Sequence, residues 1–327
     1  MPPLLNLKAP KKPVFPSRKK TTSATGTTAG DDTRDLPLPS LSAVFPLGKY
    51  LSLTAVHVLL LSFVLLALPR SEFPVEISSP AGPAGKRGTD RPEWHWVAAL
   101  TADPGAFTGW VALGLVAVEA WWTGQIGDLW DQQEEEEANA RKKLVVGGGG
   151  GQEKEEEEAA LRRTIITTMI SSVFIHLFIH LLGLRPFTSS VSPASRQIEC
   201  YLLSLVLSSL TVWTPVALLG PPPVLGELFE GGKARWDWVR LFLNVKLKTP
   251  VERAMVYPVL GALLGAWLGV FPMALDWDRP FQAFPIPIVF GAILGFIAGH
   301  LSSLAVSCWE VVLKAGSDEF QAGLKTE

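Results

Sequence analysis

The sequence predicts an all-α fold, a polytopic integral membrane protein with six transmembrane helices. Three observations carry that prediction. Hydrophobic residues make up 48% of the 327 and charged residues only 18%, where a soluble domain of this size would carry about 25% charge. Mean hydropathy is +0.26, and several apolar runs approach the roughly 20 residues that cross a bilayer as a helix. The last two apolar segments each carry glycine at every fourth position: Gly261, Gly265 and Gly269, then Gly291, Gly295 and Gly299. That spacing lays a smooth stripe along one helix face, so another backbone can approach closely. In lipid, such close packing is a main source of helix affinity. Two stripes joined by the short loop Asp276-Trp277-Asp278-Arg279-Pro280 predict a packed helical hairpin. Leucine at Gly265 or Gly295 is expected to force the helices apart, and alanine to do so less.

Residues 1–46 are rich in Pro, Thr, Ser and Lys and lack the early apolar core of a cleavable signal peptide. They are read as a disordered cytosolic tail. Residues 47–122 hold the first two spans, about Leu47–Leu68 and about Gly105–Trp122. Between them lies a Gly-, Pro- and Ser-rich loop ending in Trp94 and Trp96, with Trp121-Trp122 at the exit of the second span. Residues 123–163 are read as an acidic, glycine-rich cytosolic linker, two Glu runs around five glycines, flexible and self-repelling. Its second half, EKEEEEAALRR, suits a helix leading straight into the third span.

Residues 164–310 contain spans three to six, about Thr164–Leu184, Cys200–Leu219, Met255–Pro272 and Pro285–Val306. The run WDWVRLFLNVKL before span five has the mixed basic and apolar character of a segment lying along the membrane surface. Residues 311–327 form a second cytosolic tail. Six spans place both ends on one side, and that side holds 22 of the 29 Lys and Arg residues. Positive residues collect in the cytosol, so both termini are expected there, with Asp276–Pro280 in the lumen. The two cysteines, Cys200 and Cys308, sit in or beside apolar runs and do not suggest a disulfide framework.

Candidate chemistry is sparse. His176 and His180 share a helix face, but no further ligand accompanies them, so imidazoles bonding across helices are the favoured reading. His57 and His300 are read the same way. Glu119 lies inside a span only a turn from the Trp pair, and reaching the interface is favoured over an interhelical contact. Asp276 and Asp278 form an Asp-x-Asp pair of the kind that holds Mg²⁺ or Mn²⁺ for a phosphate-bearing donor. Their loop offers no third ligand or base. The favoured reading is that Arg279 pairs with a carboxylate while Trp277 and Pro280 fix the turn. The sequence has no P-loop, no GxSxG, and none of the motifs of membrane lipid phosphatases or CDP-alcohol transferases. No catalytic residue, cofactor, metal or nucleic-acid partner is expected. Two rivals remain: a lipid-modifying enzyme centred on Asp276 and Asp278, and a lipid carrier or flippase using Glu119 and the span-three histidines as a polar path.

The residues Leu275 to Gln282, followed by Phe284-Pro285-Ile286 and the Gly291/Gly295/Gly299 stripe, closely resemble the signature of the PIG-F family. Tyr257-Pro258 with Gly261 and Gly265 matches as well, as does Glu199 to Gly220. The resemblance covers about residues 165–307 well and the first two spans loosely; the N-terminal tail and the Glu/Gly linker look like additions. It implies a six-span, non-catalytic subunit of the endoplasmic-reticulum machinery that builds glycosylphosphatidylinositol (GPI) anchors. Such a subunit binds and stabilises the large multispanning enzymes that transfer ethanolamine phosphate to GPI mannose. Those enzymes, and the surrounding membrane lipid, are the implied partners. Asp276 to Pro280 and the six glycines are then structural or partner-binding residues.

Overall fold

Six long helices carry the chain back and forth, and each is long and apolar enough to cross a membrane. The computed structural model describes residues 46–70, 97, 100–142, 153–182, 193–222, 237–275, 277 and 279–326. The helices are α1 (Leu47–Leu66), α2 (Pro104–Lys142), α3 (Glu153–Leu181), α4 (Pro193–Leu219), α5 (Pro250–Leu268) and α6 (Ile286–Thr326). At about 1.5 Å per residue, α1 alone reaches roughly 30 Å, the thickness of a bilayer's hydrocarbon core. No strand occurs among the described residues.

Local chemistry sets the helix ends. Thr249 caps α5 by accepting from the Glu252 amide at 3.2 Å, while Glu252 Oε2 accepts from the Thr249 amide at 3.3 Å. Pro250 follows in the first turn, where its missing N–H costs nothing. α4 stops at Gly220, whose φ of 80° lies in the left-handed region that glycine enters freely, and Pro221 and Pro222 come next. Pro215 and Pro258 lie inside α4 and α5. Membrane helices tolerate them where neighbours satisfy the freed carbonyls.

Several helices run beyond their sequence-based bounds. α2 does not end at Trp122. Trp122 is fully buried, and Ile126 and Leu129 extend the same inward face to pack with Tyr50, Val251 and Ala254. The apolar spacing of three and four simply continues past the Trp pair. α4 starts at Pro193 rather than Cys200, and α5 at Pro250 rather than Met255. α6 continues through Thr326, so the segment from 311 expected as a tail is helical. α3 begins at Glu153, as the helical reading of EKEEEEAALRR expects. The N-terminal tail, the loop carrying Trp94 and Trp96, and the five glycines of the linker lie outside the described residues.

The main core lies between α1, α2, α4 and α6, around Leu61, Val111, Leu115, Leu203, Leu210 and Phe296. α5 and α6 form the closest pair. Their glycine stripes face each other: a Cβ on Gly265 would run into the Gly291 carbonyl, and one on Gly295 into the Gly261 carbonyl. The stripe continues at both ends, Gly269 against Pro287 and Gly299 against Tyr257 and Pro258. α3 packs on α4, where Ser208 Oγ donates to the Thr168 carbonyl at 2.7 Å. The outer face of α3 leaves Phe174, Leu177 and Phe178 exposed, as a helix facing lipid requires.

Candidate functional site: a sealed polar centre in the bundle

α1 carries Tyr50, Thr54 and His57 at spacings of four and three, so all three lie on one face, and all are fully buried. α6 presents His300, Ser303 and Ser307 to the same interior by the same spacing, with half-exposed Glu310 next on that face. α2 supplies Glu119 and Trp122, and α4 supplies Thr214. Together they make a column of polar groups through a bundle that is otherwise apolar.

Its inner end is a four-helix contact. His57 Nε2 lies 3.2 Å from Glu119 Oε1, and Thr214 Oγ1 donates to Glu119 Oε2 at 3.0 Å. The His57 ring stacks on Trp122 with centroids 4.4 Å apart and planes 10° apart. His300 meets His57 edge-on at 4.6 Å and Trp122 at 4.9 Å. Among the described residues, His57 Nδ1, Trp122 Nε1 and both His300 nitrogens have no hydrogen-bond partner. Further along, Tyr50 Oη and Ser303 Oγ are 3.0 Å apart. The outer end is an ion pair: Arg253 donates to Glu310 at 2.9 and 2.8 Å, and its other contacts are to Ser307 at 3.4 Å.

These positions correct the sequence-based reading. Glu119 does not reach the interface. It is fully buried and joins α1, α2 and α4, because α2 continues well beyond the Trp pair and leaves it near mid-helix. His300 lies inside the bundle without the cross-helix bond expected of it. Arg253, just before the expected start of span five, is 4% exposed and paired with Glu310, just past the expected end of span six at Val306. The sequence carries a signal for this column in the periodic polar positions of α1 and α6, of which the histidines alone stand out by residue type. His180 reaches Gln197 on α4 at 3.1 Å and His176 at 3.2 Å, both half-buried. Thus the span-three pair and Glu119 belong to separate clusters.

Asp276 and Asp278 lie outside the described residues. Beside them, Trp277 is 54% exposed and Pro280 opens a short helical turn, Pro280–Gln282. Gln282 secures this turn. Its amide donates to the Pro272 and Leu275 carbonyls at 2.5 and 2.7 Å, and its oxygen accepts from the Arg279 amide at 2.8 Å. Gln282 closes the hairpin's tip, a role the sequence reading did not give it. At the other end of the hairpin Glu252 accepts from Arg240 at 2.7 Å, which holds the guanidinium pKa above its ordinary value.

Chemically, the centre binds helices together. Both Glu119 oxygens are engaged and neither Glu119 nor His57 is exposed, so a headgroup or phosphate donor has no approach. No group of three or more His, Cys, Asp or Glu able to hold a metal ion occurs among the described residues.

Fold and centre define a six-span helical membrane protein organised by interhelical packing and a sealed polar core. A model of the GPI biosynthesis protein family Pig-F matches residues 47–304, and the chain belongs to that family. The match takes in the first two spans, where the motifs alone resembled the family loosely. A mouse protein named "GPI ethanolamine phosphate transferase, stabilizing subunit" is 35% identical over 106 residues, 32% of this chain and 43% of that protein. Its human counterpart of the same name is 33% identical over the same length and shares. A Schizosaccharomyces pombe "PIGF/3-ketodihydrosphingosine reductase fusion protein" is 64% identical over 60 residues, 18% of this chain and 12% of that protein. The chain thus spans less than half the length of the mouse and human relatives it matches. No solved structure matches it.

Proposed function

We propose that this chain is a non-catalytic membrane subunit that binds and stabilises ethanolamine phosphate transferases of GPI-anchor biosynthesis, supporting transfer of ethanolamine phosphate to GPI mannose. The observation that carries this reading is the family match along residues 47–304, with relatives named as stabilising subunits of that transferase. The polar groups of the bundle interior support it, because they face each other rather than a substrate. The protein resides in the endoplasmic-reticulum membrane with both termini cytosolic and Asp276–Pro280 in the lumen. There the residues Asp276 to Pro280 shape the hairpin tip and offer Trp277 to the partner. The six glycines are consumed inside the hairpin and act on the partner only through its shape.

The test is removal and recovery. Loss of this chain should lower the amount of the catalytic subunit and the transfer of ethanolamine phosphate together, and re-expression should restore both, with the two proteins co-purifying. Transfer by the purified chain alone would sink the subunit reading. Orientation is read separately with engineered glycosylation sequons. One near Gly82 should be glycosylated and one near Gly149 should not, and the reverse pattern would invert the topology.

A further inference from the structure

Ahead of α5, residues 237–249 include a π-helical turn, Val239–Leu243, at the end of the bundle where α4 stops. Its root is fixed. Trp238 Nε1 donates to the Gly220 carbonyl at 3.1 Å, the Trp238 ring stacks on Phe242 with centroids 5.1 Å apart, and Leu241 is fully buried. Arg240 is occupied by Glu252 at 2.7 Å, Asp237 at 3.3 Å and the Lys246 carbonyl at 3.3 Å. Its tip is open. Leu243 is 76% and Val245 50% exposed, and Asn244, Lys246 and Lys248 are exposed too. Val245 has φ 49°, a left-handed conformation that a β-branched residue rarely adopts. Backbone of this kind persists where its surroundings over-determine it, and it gathers at ligand clamps.

Two apolar side chains and two lysines therefore share a tip at the level where α4 ends and α5 begins. Neither Lys246 nor Lys248 has an ion-pair partner among the described residues, and Lys49, exposed at the start of α1 on the same end, has none either. The other end of the bundle is different. Arg70 and Arg279 are engaged there, and Arg196 pairs with Glu199 at 3.4 Å and lies over the Phe284 ring. Unpaired cations beside exposed apolar side chains complement a surface that is anionic outside and apolar just beneath.

We propose that Leu243–Lys248 is a docking surface for the headgroups of anionic phospholipids in the leaflet that meets this end of the bundle. Lys246 and Lys248 meet the lipid's phosphate and carboxylate, and Leu243 and Val245 enter the acyl boundary below. Arg240 holds the loop's shape and does not read the lipid. The proposal requires only that the chain spans a membrane, and it stands apart from the transferase reading.

The test uses the full chain in nanodiscs of phosphatidylcholine, with or without a minor fraction of phosphatidylserine. Native mass spectrometry counts the lipids retained, and a nitroxide at Val245→Cys, with Cys200 and Cys308 replaced by Ala, reports depth. Phosphatidylserine should be retained over phosphatidylcholine. Lys246→Gln with Lys248→Gln should cut that preference about fivefold per lysine, while Arg at both positions keeps it. The label should read as immersed, and Leu243→Ser, which leaves both lysines in place, should move it toward water. Equal retention of the two lipids, an unchanged preference in the Gln variant, or an aqueous label at Val245 would overturn the proposal. Displacement of phosphatidylserine by inorganic phosphate would assign the site to a soluble anion and overturn it as well.

Discussion

His57 and Glu119 meet at 3.2 Å in the middle of the bundle, Nε2 to Oε1, with neither side chain exposed. Thr214 holds the other carboxylate oxygen, so one residue of α2 fixes its position against α1 and α4 together. Glu119→Leu removes the acceptor and leaves the His57 Nε2 and the Thr214 hydroxyl unsatisfied. A buried polar atom left alone costs about 1–3 kcal/mol, and interhelical bonds measured in membranes reach about 2 kcal/mol. We expect Glu119→Leu and His57→Leu each to destabilise by about 1–2 kcal/mol and Glu119→Gln to cost less, because the amide oxygen still accepts from one partner while its NH2 can donate to the other, the Thr214 hydroxyl or an unprotonated His57 nitrogen. The double Leu variant should lose less than the sum of the singles, since neither partner is stranded. Thermal unfolding of the purified chain in detergent measures this, and strictly additive losses would show that the two residues are uncoupled.

The fold was legible where the sequence had long apolar runs, because backbone in lipid has few alternatives to a spanning helix. The hairpin was legible for a sharper reason. Glycine at every fourth position has one geometric consequence, and both α5 and α6 display it. The polar centre was harder to read. Glu119 stood next to two tryptophans, a pattern that marks an interface as often as a core. Its burial depended on α2 extending through Ile126 and Leu129, residues inside a stretch already given to the linker. Arg253 and Glu310 likewise lie just outside the expected spans, each at a boundary between apolar and polar composition. A composition boundary shows where a span stops being uniformly apolar. It does not show where the helix stops, and paired charges can lie beyond it.

Gly265 and Gly295 sharpen the packing argument into a test of alanine. A methyl group at either position meets backbone, the Gly291 or Gly261 carbonyl, rather than a side chain that can swing aside. Alanine at these sites is therefore disruptive in its own right, with leucine worse. Overpacking of this kind costs about 1–3 kcal/mol, occasionally more. Gly124, in α2, is the internal control, because nothing lies within 4 Å of a Cβ placed there. Gly124→Ala should be neutral or stabilise by up to about 1 kcal/mol through helix propensity. Comparing the melting temperatures of the three alanine variants decides the matter. Equal behaviour at Gly265 and Gly124 would mean that the stripes do not set the helix separation.

Arg253 and Glu310 tie the start of α5 to the far part of α6. The guanidinium is almost wholly buried, 4% exposed, while Glu310 is 36% exposed. Losing one partner of a buried pair costs about 3–5 kcal/mol; water reaching the open side should reduce that, and about 2 kcal/mol is expected for Glu310→Ala. Adding Arg253→Met removes the stranded charge and should recover much of the loss. Unfolding midpoints of the two single variants and the double give the coupling. A Glu310→Ala variant as stable as the parent would show that this pair does not fasten α6 to α5.

The last prediction separates subunit from enzyme at the hairpin's tip. If Asp276 and Asp278 ligate a catalytic metal, Asn at either position keeps the shape and loses the charge that neutralises the ion. Transfer should then vanish while the complex with the catalytic subunit stays intact. If these residues shape the turn or dock the partner, the same variants act through the amount of complex, and activity per assembled complex stays within a few-fold of the parent. Gln282→Ala calibrates the second case. It removes the bonds to the Pro272 and Leu275 carbonyls that close the tip, without touching any carboxylate. We expect Gln282→Ala, Asp276→Asn and Asp278→Asn to fall in one class, with lower recovery of the catalytic subunit and preserved transfer per recovered subunit. Ethanolamine-phosphate transfer normalised to recovered catalytic subunit is the deciding measurement. A fully assembled, normally abundant complex of either Asn variant that transfers nothing would place the chemistry on this chain.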